Sequence, residues 1–80
     1  MKVYAIDLDG VLDNPENIKK TNELFENKNN LIIIYTARSK KIRKETEKYL
    51  NELGVKYHCL VMEKLRADVY IDDKNGWFND

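Results

Sequence analysis

Val3-Tyr4-Ala5-Ile6-Asp7-Leu8-Asp9-Gly10-Val11-Leu12 decides how this chain is read. An apolar, β-rich run stops on two acids one residue apart, and a glycine follows. Carboxylates at the carboxyl end of a strand stand where open α/β sheets bind their ligands. Alternate strand residues share a face, so Asp7 and Asp9 point the same way unless the chain turns between them. Two carboxylates held that close repel each other unless a proton or a cation lies between them. The pattern predicts a site for Mg²⁺ and a phosphate.

Outward from that stretch, the chain alternates strands and helices. Lys2 to Ile6 reads as the first strand. Asn14-Pro15-Glu16 supplies a cap, a first-turn proline and a first-turn acid, which together open a helix. Ile18, Asn22 and Phe25, with Leu24 beside them, give that helix one narrow apolar face, and residues 27–30 end it. Leu31 to Tyr35 is apolar throughout, the mark of a strand buried on both faces in a parallel sheet. A second helix is predicted from about Ser39 to Leu53, with Ile42, Thr46, Tyr49, Leu50 and Leu53 along one side and Gly54 as its stop. Lys56 to Val61 and Asp68 to Ile71 read as the third and fourth strands, the last ending on Asp72-Asp73.

This order predicts an α/β fold: a minimal Rossmann-like open sheet of about four parallel strands with crossover helices, forming a single domain over residues 1–80. A chain of 80 residues buries only about 60% of its unfolded surface, so stability is expected to be modest. Fourteen basic and fourteen acidic side chains cancel, and bulk charge gives no indication of a nucleic-acid partner. Cys59 has no second cysteine to pair with, which fits a reducing compartment, and its apolar neighbours predict a buried spacer. Neither a secretory apolar region nor a membrane-length run is seen, so the expected location is cytoplasmic.

The groups able to do chemistry collect at the predicted strand ends: Asp7, Asp9, Thr36, Lys64 and Asp72-Asp73. Phosphoryl transfer needs a nucleophile, a proton donor for the leaving group, cover for the equatorial oxygens, and usually Mg²⁺. A carboxylate can attack phosphorus and hold it covalently. Mg²⁺ takes hard oxygen ligands and few carboxylates, keeping waters and a substrate oxygen. The basic run Arg38, Lys40, Lys41, Arg43 and Lys44 reads as a solvated helix face partly paired with Glu45 and Glu47. A funnel for a phosphorylated substrate is the alternative, with Arg38 nearest the site. His58 is expected in a strand outside the site, and Trp77 and Phe78 are expected to close the core.

Asp7-Leu8-Asp9-Gly10-Val11-Leu12 resembles the first motif of the haloacid dehalogenase superfamily in its phosphatase form. Ile33-Ile34-Tyr35-Thr36-Ala37-Arg38 resembles the second motif, Lys64 the third-motif lysine, and Tyr70-Ile71-Asp72-Asp73-Lys74 the acidic fourth motif. Leu65 stands where such proteins commonly carry proline after the lysine, and Asp72-Asp73 where they carry Gly-Asp. The surrounding residues look like those of short members associated with sugar-phosphate or surface-polysaccharide metabolism.

The resemblance implies a Mg²⁺-dependent phosphomonoester hydrolase acting through an aspartyl phosphate, on a small phosphorylated substrate such as a sugar phosphate or nucleotide. Asp7 would be the nucleophile and Asp9 the acid and later the base, with its pKa raised toward neutrality by acidic neighbours. Thr36, Ala37, Arg38 and Lys64 would meet the phosphorylated substrate, and Thr36 and Lys64 would serve catalysis. The metal would fall to Asp7, the backbone carbonyl of Asp9, and Asp73 with Asp72 beside it. Each gap between motifs holds only one helix and its turns, so no cap domain is expected. A homodimer or a large substrate would then be needed to exclude water. The rival reading is a non-hydrolytic phosphate-binding or phospho-acceptor signalling domain. In response-regulator receivers, however, an acidic pair precedes a mid-chain aspartate, whereas here the presumed nucleophile comes first.

Overall fold

The structure, a computed structural model, describes residues 1–63 and 69–71, with only the backbone of Val69 and Tyr70. The elements run β1 (Lys2–Asp7), α1 (Pro15–Glu26), β2 (Asn30–Thr36), a 3₁₀ turn (Lys40–Ile42) leading into α2 (Arg43–Leu53), β3 (Cys59–Met62) and β4 (Val69–Ile71). They form a parallel sheet of order β3-β2-β1-β4. The chain steps from β1 to β2 to β3 in one direction, then returns to lay β4 on the other side of β1. Strand order reverses between β1 and β4, and sheets of this kind bind ligands outside the strand ends at such a reversal.

The two-residue period of the strands builds the core. Tyr4 and Ile6 of β1, Ile32 and Ile34 of β2, and Leu60 and Met62 of β3 share one buried face. Leu50 of α2 belongs to the same cluster, and Ile18, Leu24 and Phe25 of α1 and Leu53 of α2 pack against it. Both helices therefore cover one side of the sheet, as two successive right-handed crossovers require. Ala5 and Ile33 point the other way and are buried too, in keeping with the uniformly apolar second strand.

Helix ends follow the local signals. The Asn14 side chain accepts the Glu16 N–H at 3.0 Å ahead of Pro15. Gly54 ends α2 at φ +75, a left-handed position in which a side chain would be strained although open space surrounds it. The start of the second helix differs from expectation. Ser39 caps a 3₁₀ turn whose three-residue period puts Ile42 out of phase with the later stripe, leaving it exposed. Thr46 and Leu50 are buried, whereas Tyr49, on the border of the stripe, is 36% exposed. Asn22 also departs from its expected place in the apolar face. Its side-chain amide donates to the Gly54 carbonyl at 3.1 Å and accepts the Lys56 N–H at 2.7 Å, tying α1 to the turn after α2.

The third strand begins at Cys59 rather than at Lys56, because a side chain takes over from the ladder. His58 N–H donates to the Ile32 carbonyl, and Ile32 N–H donates to His58 Nδ1, both at 2.9 Å. With Nδ1 accepting, Nε2 carries the hydrogen of the neutral ring. The ring stacks on Phe25 with centroids 4.6 Å apart. His58→Ala should therefore cost about 1–3 kcal/mol in urea unfolding, because the part-buried Ile32 N–H loses its acceptor. A loss below roughly 0.5 kcal/mol would show that water replaces the imidazole without penalty. Cys59, expected as a buried spacer, is exposed. It lies on the edge strand, opposite the face that Leu60 and Met62 turn to the helices.

Candidate active site at the carboxyl edge of the sheet

Asp7 is the last residue of β1, half-buried and in register with Tyr35. Pairing continues one residue further, where Leu8 N–H donates to the Tyr35 carbonyl at 2.9 Å. The chain then turns. Leu12 N–H returns to the Leu8 carbonyl at 3.1 Å, and Gly10 adopts φ +87, a conformation that favours glycine. Leu8, Val11 and Leu12 are buried and pin this turn to the core. Asp9 is left at its outer side, with 53% of its side chain exposed.

Thr36 closes β2 and is almost fully buried. Its hydroxyl donates to Asp9 Oδ2 at 2.9 Å and accepts the Arg38 N–H at 3.2 Å. The Arg38 guanidinium grips the same carboxylate from two atoms, Nη2 to Oδ1 at 2.6 Å and Nε to Oδ2 at 3.3 Å. Both Asp9 oxygens are thus engaged by charge-assisted or hydroxyl donors, the stronger class of hydrogen bond. The Thr36 carbonyl is held from the other side by Glu63 N–H at 2.8 Å. Glu63 adopts φ +88, uncommon for a residue with a side chain, and its carboxylate accepts the Lys40 N–H at 3.3 Å.

These contacts set the charge of the site. The hydrogen bond from Arg38 lowers the Asp9 pKa below its ordinary 3.8; burial opposes this, and the Thr36 hydroxyl and the Arg38 charge lower it further. Arg38 is raised in turn, mainly by its hydrogen bond to Asp9. The expected upward shift of Asp9 is therefore corrected: among the described residues, the groups that set its pKa are the Arg38 cation and the Thr36 hydroxyl, which together outweigh burial. A depressed folded-state pKa adds stability that is present above the unfolded value and lost as pH falls through the folded one. Wild type should accordingly outlast Asp9→Asn in urea at pH 7, with the gap closing below about pH 4. Because the carboxylate is half-exposed, solvent screens the pair and the gap should be small. A gap that widened on acidification would refute this assignment of charge.

Of the residues singled out in the sequence, the structure brings Asp9, Thr36 and Arg38 into contact and places Asp7 at the same edge. Ala37 lies between Thr36 and Arg38, exposed and without a described role. Lys64, Asp72, Asp73, Trp77 and Phe78 lie outside the described residues. β4 runs parallel to β1, and its last residue, Ile71, is in register with Ile6, so the chain leaves β4 at the carboxyl edge. Among the described residues no group of three or more His, Cys, Asp or Glu side chains converges to hold a metal. The donors present, the Asp7 carboxylate and the main-chain carbonyl of Asp9, are hard oxygens of the kind Mg²⁺ takes in small number. The Asp9 carboxylate is already engaged by Thr36 and Arg38, so its main-chain carbonyl is the less encumbered oxygen in this state.

The rest of the basic run behaves as a solvated face where contacts are seen. Arg43 pairs with Glu47 one helical turn on at 3.3 Å and donates to the Leu60 carbonyl at 3.0 Å. Tyr49 is the residue that sequence reasoning missed. Its ring centroid lies 5.8 Å from Arg38 Cζ, a cation–π distance. Its spacing in α2 marked it as core, and no local signal pointed to the site. Among the described residues no helix is long and apolar enough to cross a membrane. Comparison of the chain with family models, curated proteins and solved structures finds no match.

Proposed function

We propose that this chain is a Mg²⁺-dependent phosphomonoester hydrolase of the haloacid dehalogenase type, without a cap domain, acting on a small phosphorylated substrate. The observation that carries this reading is the meeting of Asp9, Thr36 and Arg38 beside the end of β1, contributed by segments 27 to 29 residues apart. A carboxylate, a hydroxyl and a guanidinium at the carboxyl ends of β1 and β2 suit a phosphate dianion and its leaving group. The four ordered sequence motifs support the same reading.

In this mechanism an Asp7 carboxylate oxygen attacks phosphorus, and the bond from phosphorus to the leaving oxygen breaks. Asp9 supplies the proton that leaves with the alcohol. Water then attacks the aspartyl phosphate, Asp9 takes a proton from that water, and inorganic phosphate departs with Asp7 restored. Thr36, Arg38 and Lys64 bind the phosphoryl oxygens. Mg²⁺, held by Asp7, the Asp9 carbonyl and Asp73 or Asp72, would neutralise charge where two anions must approach. Asp9 is free to carry a proton only when Arg38 has let it go.

The test is release of inorganic phosphate from a panel of small phosphate esters with Mg²⁺ present. Release that disappears on adding a chelator and in Asp7→Asn supports the reading; no release from any ester by the wild type ends it. The second reading, a phosphate-binding or phospho-acceptor domain, is favoured by one contact. Both Asp9 oxygens accept from donors, as suits a fixed anchor for the phosphate-binding Arg38 better than a proton donor. A long-lived phospho-Asp7 without released phosphate would decide for it.

A further inference from the structure

Arg38 has a second neighbour that phosphate chemistry alone does not call for. Its guanidinium binds Asp9 through Nη2 and Nε and also lies by the Tyr49 ring, 5.8 Å from the centroid. Both Tyr49 and the Arg38 side chain are partly open to solvent. Part of this large aromatic stays in solvent on the helix border, so packing against the core does not use the whole ring. Its position gives it something else to do.

From this juxtaposition we infer that Tyr49 is a positioning residue, holding the Arg38 guanidinium at the site while its anionic partner changes from Asp9 to a substrate phosphate. The inference rests on the phosphatase reading and deepens it by assigning the selection of the phosphate group to an Arg38–Tyr49 pair. A guanidinium offers two separate recognition surfaces. Its edge donates to oxygens in the fork geometry that suits carboxylate and phosphate, and its face stacks on an aromatic ring. Contact with Tyr49 therefore leaves the edge free to exchange one oxyanion for another. A phosphate dianion carries more charge than the Asp9 carboxylate and accepts the same fork, so it competes for that edge. When it does, the carboxylate that must exchange protons with the leaving group and with water is released. Arg38 alone is a long, rotamer-rich side chain; a ring beside it reduces the freedom it loses on binding.

The experiment is calorimetric titration of inorganic phosphate, with Mg²⁺, into wild type, Tyr49→Phe, Tyr49→Leu, Arg38→Gln and the Arg38→Gln/Tyr49→Leu double variant. The Arg38 Nε–H resonance is followed by NMR in the same samples before and after phosphate. An exposed cation–π contact is worth about 0.5–1 kcal/mol, so Tyr49→Leu should weaken phosphate binding by roughly two- to five-fold. Tyr49→Phe should keep the wild-type affinity, since the contact assigned to the pair is with the ring. In the Arg38→Gln background, Tyr49→Leu should have no further effect. The Nε–H signal should move on adding phosphate to wild type and should already be displaced in Tyr49→Leu without it.

Equal weakening by Tyr49→Leu with and without Arg38 would overturn the positioning role and leave the phosphatase reading standing. So would an Nε–H signal indifferent to Tyr49. A wild type that binds no phosphate, with its Nε–H signal unmoved, would overturn the change of partner together with the phosphatase reading.

Discussion

Asp7→Asn is expected to lower turnover of a small phosphate ester by at least about 10³-fold while the fold persists. The asparagine amide is not a nucleophile, so no covalent intermediate forms and the two-step route closes. Its volume is nearly that of the acid, and the neighbouring backbone is also held by main-chain pairing. Asp7 sits in register with Tyr35, and the next residue donates to the Tyr35 carbonyl at 2.9 Å. Far-UV circular dichroism and the urea midpoint should therefore change little, and the released-phosphate assay should fall to background. Loss of both structure and activity would carry no mechanistic weight, which makes the unfolding curve the necessary companion. Hydrolysis at the wild-type rate in a folded Asp7→Asn protein would remove Asp7 from the chemistry.

Much of this architecture is legible in the residues, for reasons that are local. The run Ile32-Ile33-Ile34 reads as a central strand because no exposed strand would place isoleucine on both faces, and all three are buried. Asn14 followed by Pro15 locates the start of α1 because a side-chain acceptor and a fixed φ both act within one turn. What resists reading depends on partners distant in the chain. Nothing near His58 reveals that its imidazole will stand in for ladder pairing at Ile32, 26 residues earlier. The charge state of Asp9 was misjudged for the same reason. The sequence points to acidic neighbours as its control, whereas the strongest described contact comes from Arg38, 29 residues on. Helical period alone puts Tyr49 along the apolar side of α2, but a period cannot tell the centre of a stripe from its border.

Leu50→Ala is expected to be the most damaging apolar substitution in α2, removing about 2–5 kcal/mol of stability. For a chain of 80 residues the whole margin is only roughly 4–12 kcal/mol, so the variant should lose a large part of it. Besides Leu50, α2 is held by the partly buried Leu53 and by the Arg43 side chain, which donates to the Leu60 carbonyl. Its first residue follows Ile42, which makes no side-chain capping bond, and its fully buried residues are Thr46 and Leu50. Thr46 spends its hydroxyl on the Ile42 carbonyl at 2.8 Å within the helix. Leu50, wholly inaccessible to solvent, is thus the main apolar anchor between this helix and the sheet. Leu50→Met, which keeps the volume, should cost under about 1.5 kcal/mol, and Tyr49→Leu, one residue away but half-exposed, less than that. The ordering matters for the site as well as for the fold. α2 carries the ring that faces Arg38, so loosening the helix should weaken phosphate binding in Leu50→Ala even under conditions where the protein remains folded. Urea midpoints that placed Leu50→Ala level with an exposed change such as Lys48→Ala would mean that α2 is held by something other than its buried stripe. The stable seat required of Tyr49 would then have to be sought elsewhere.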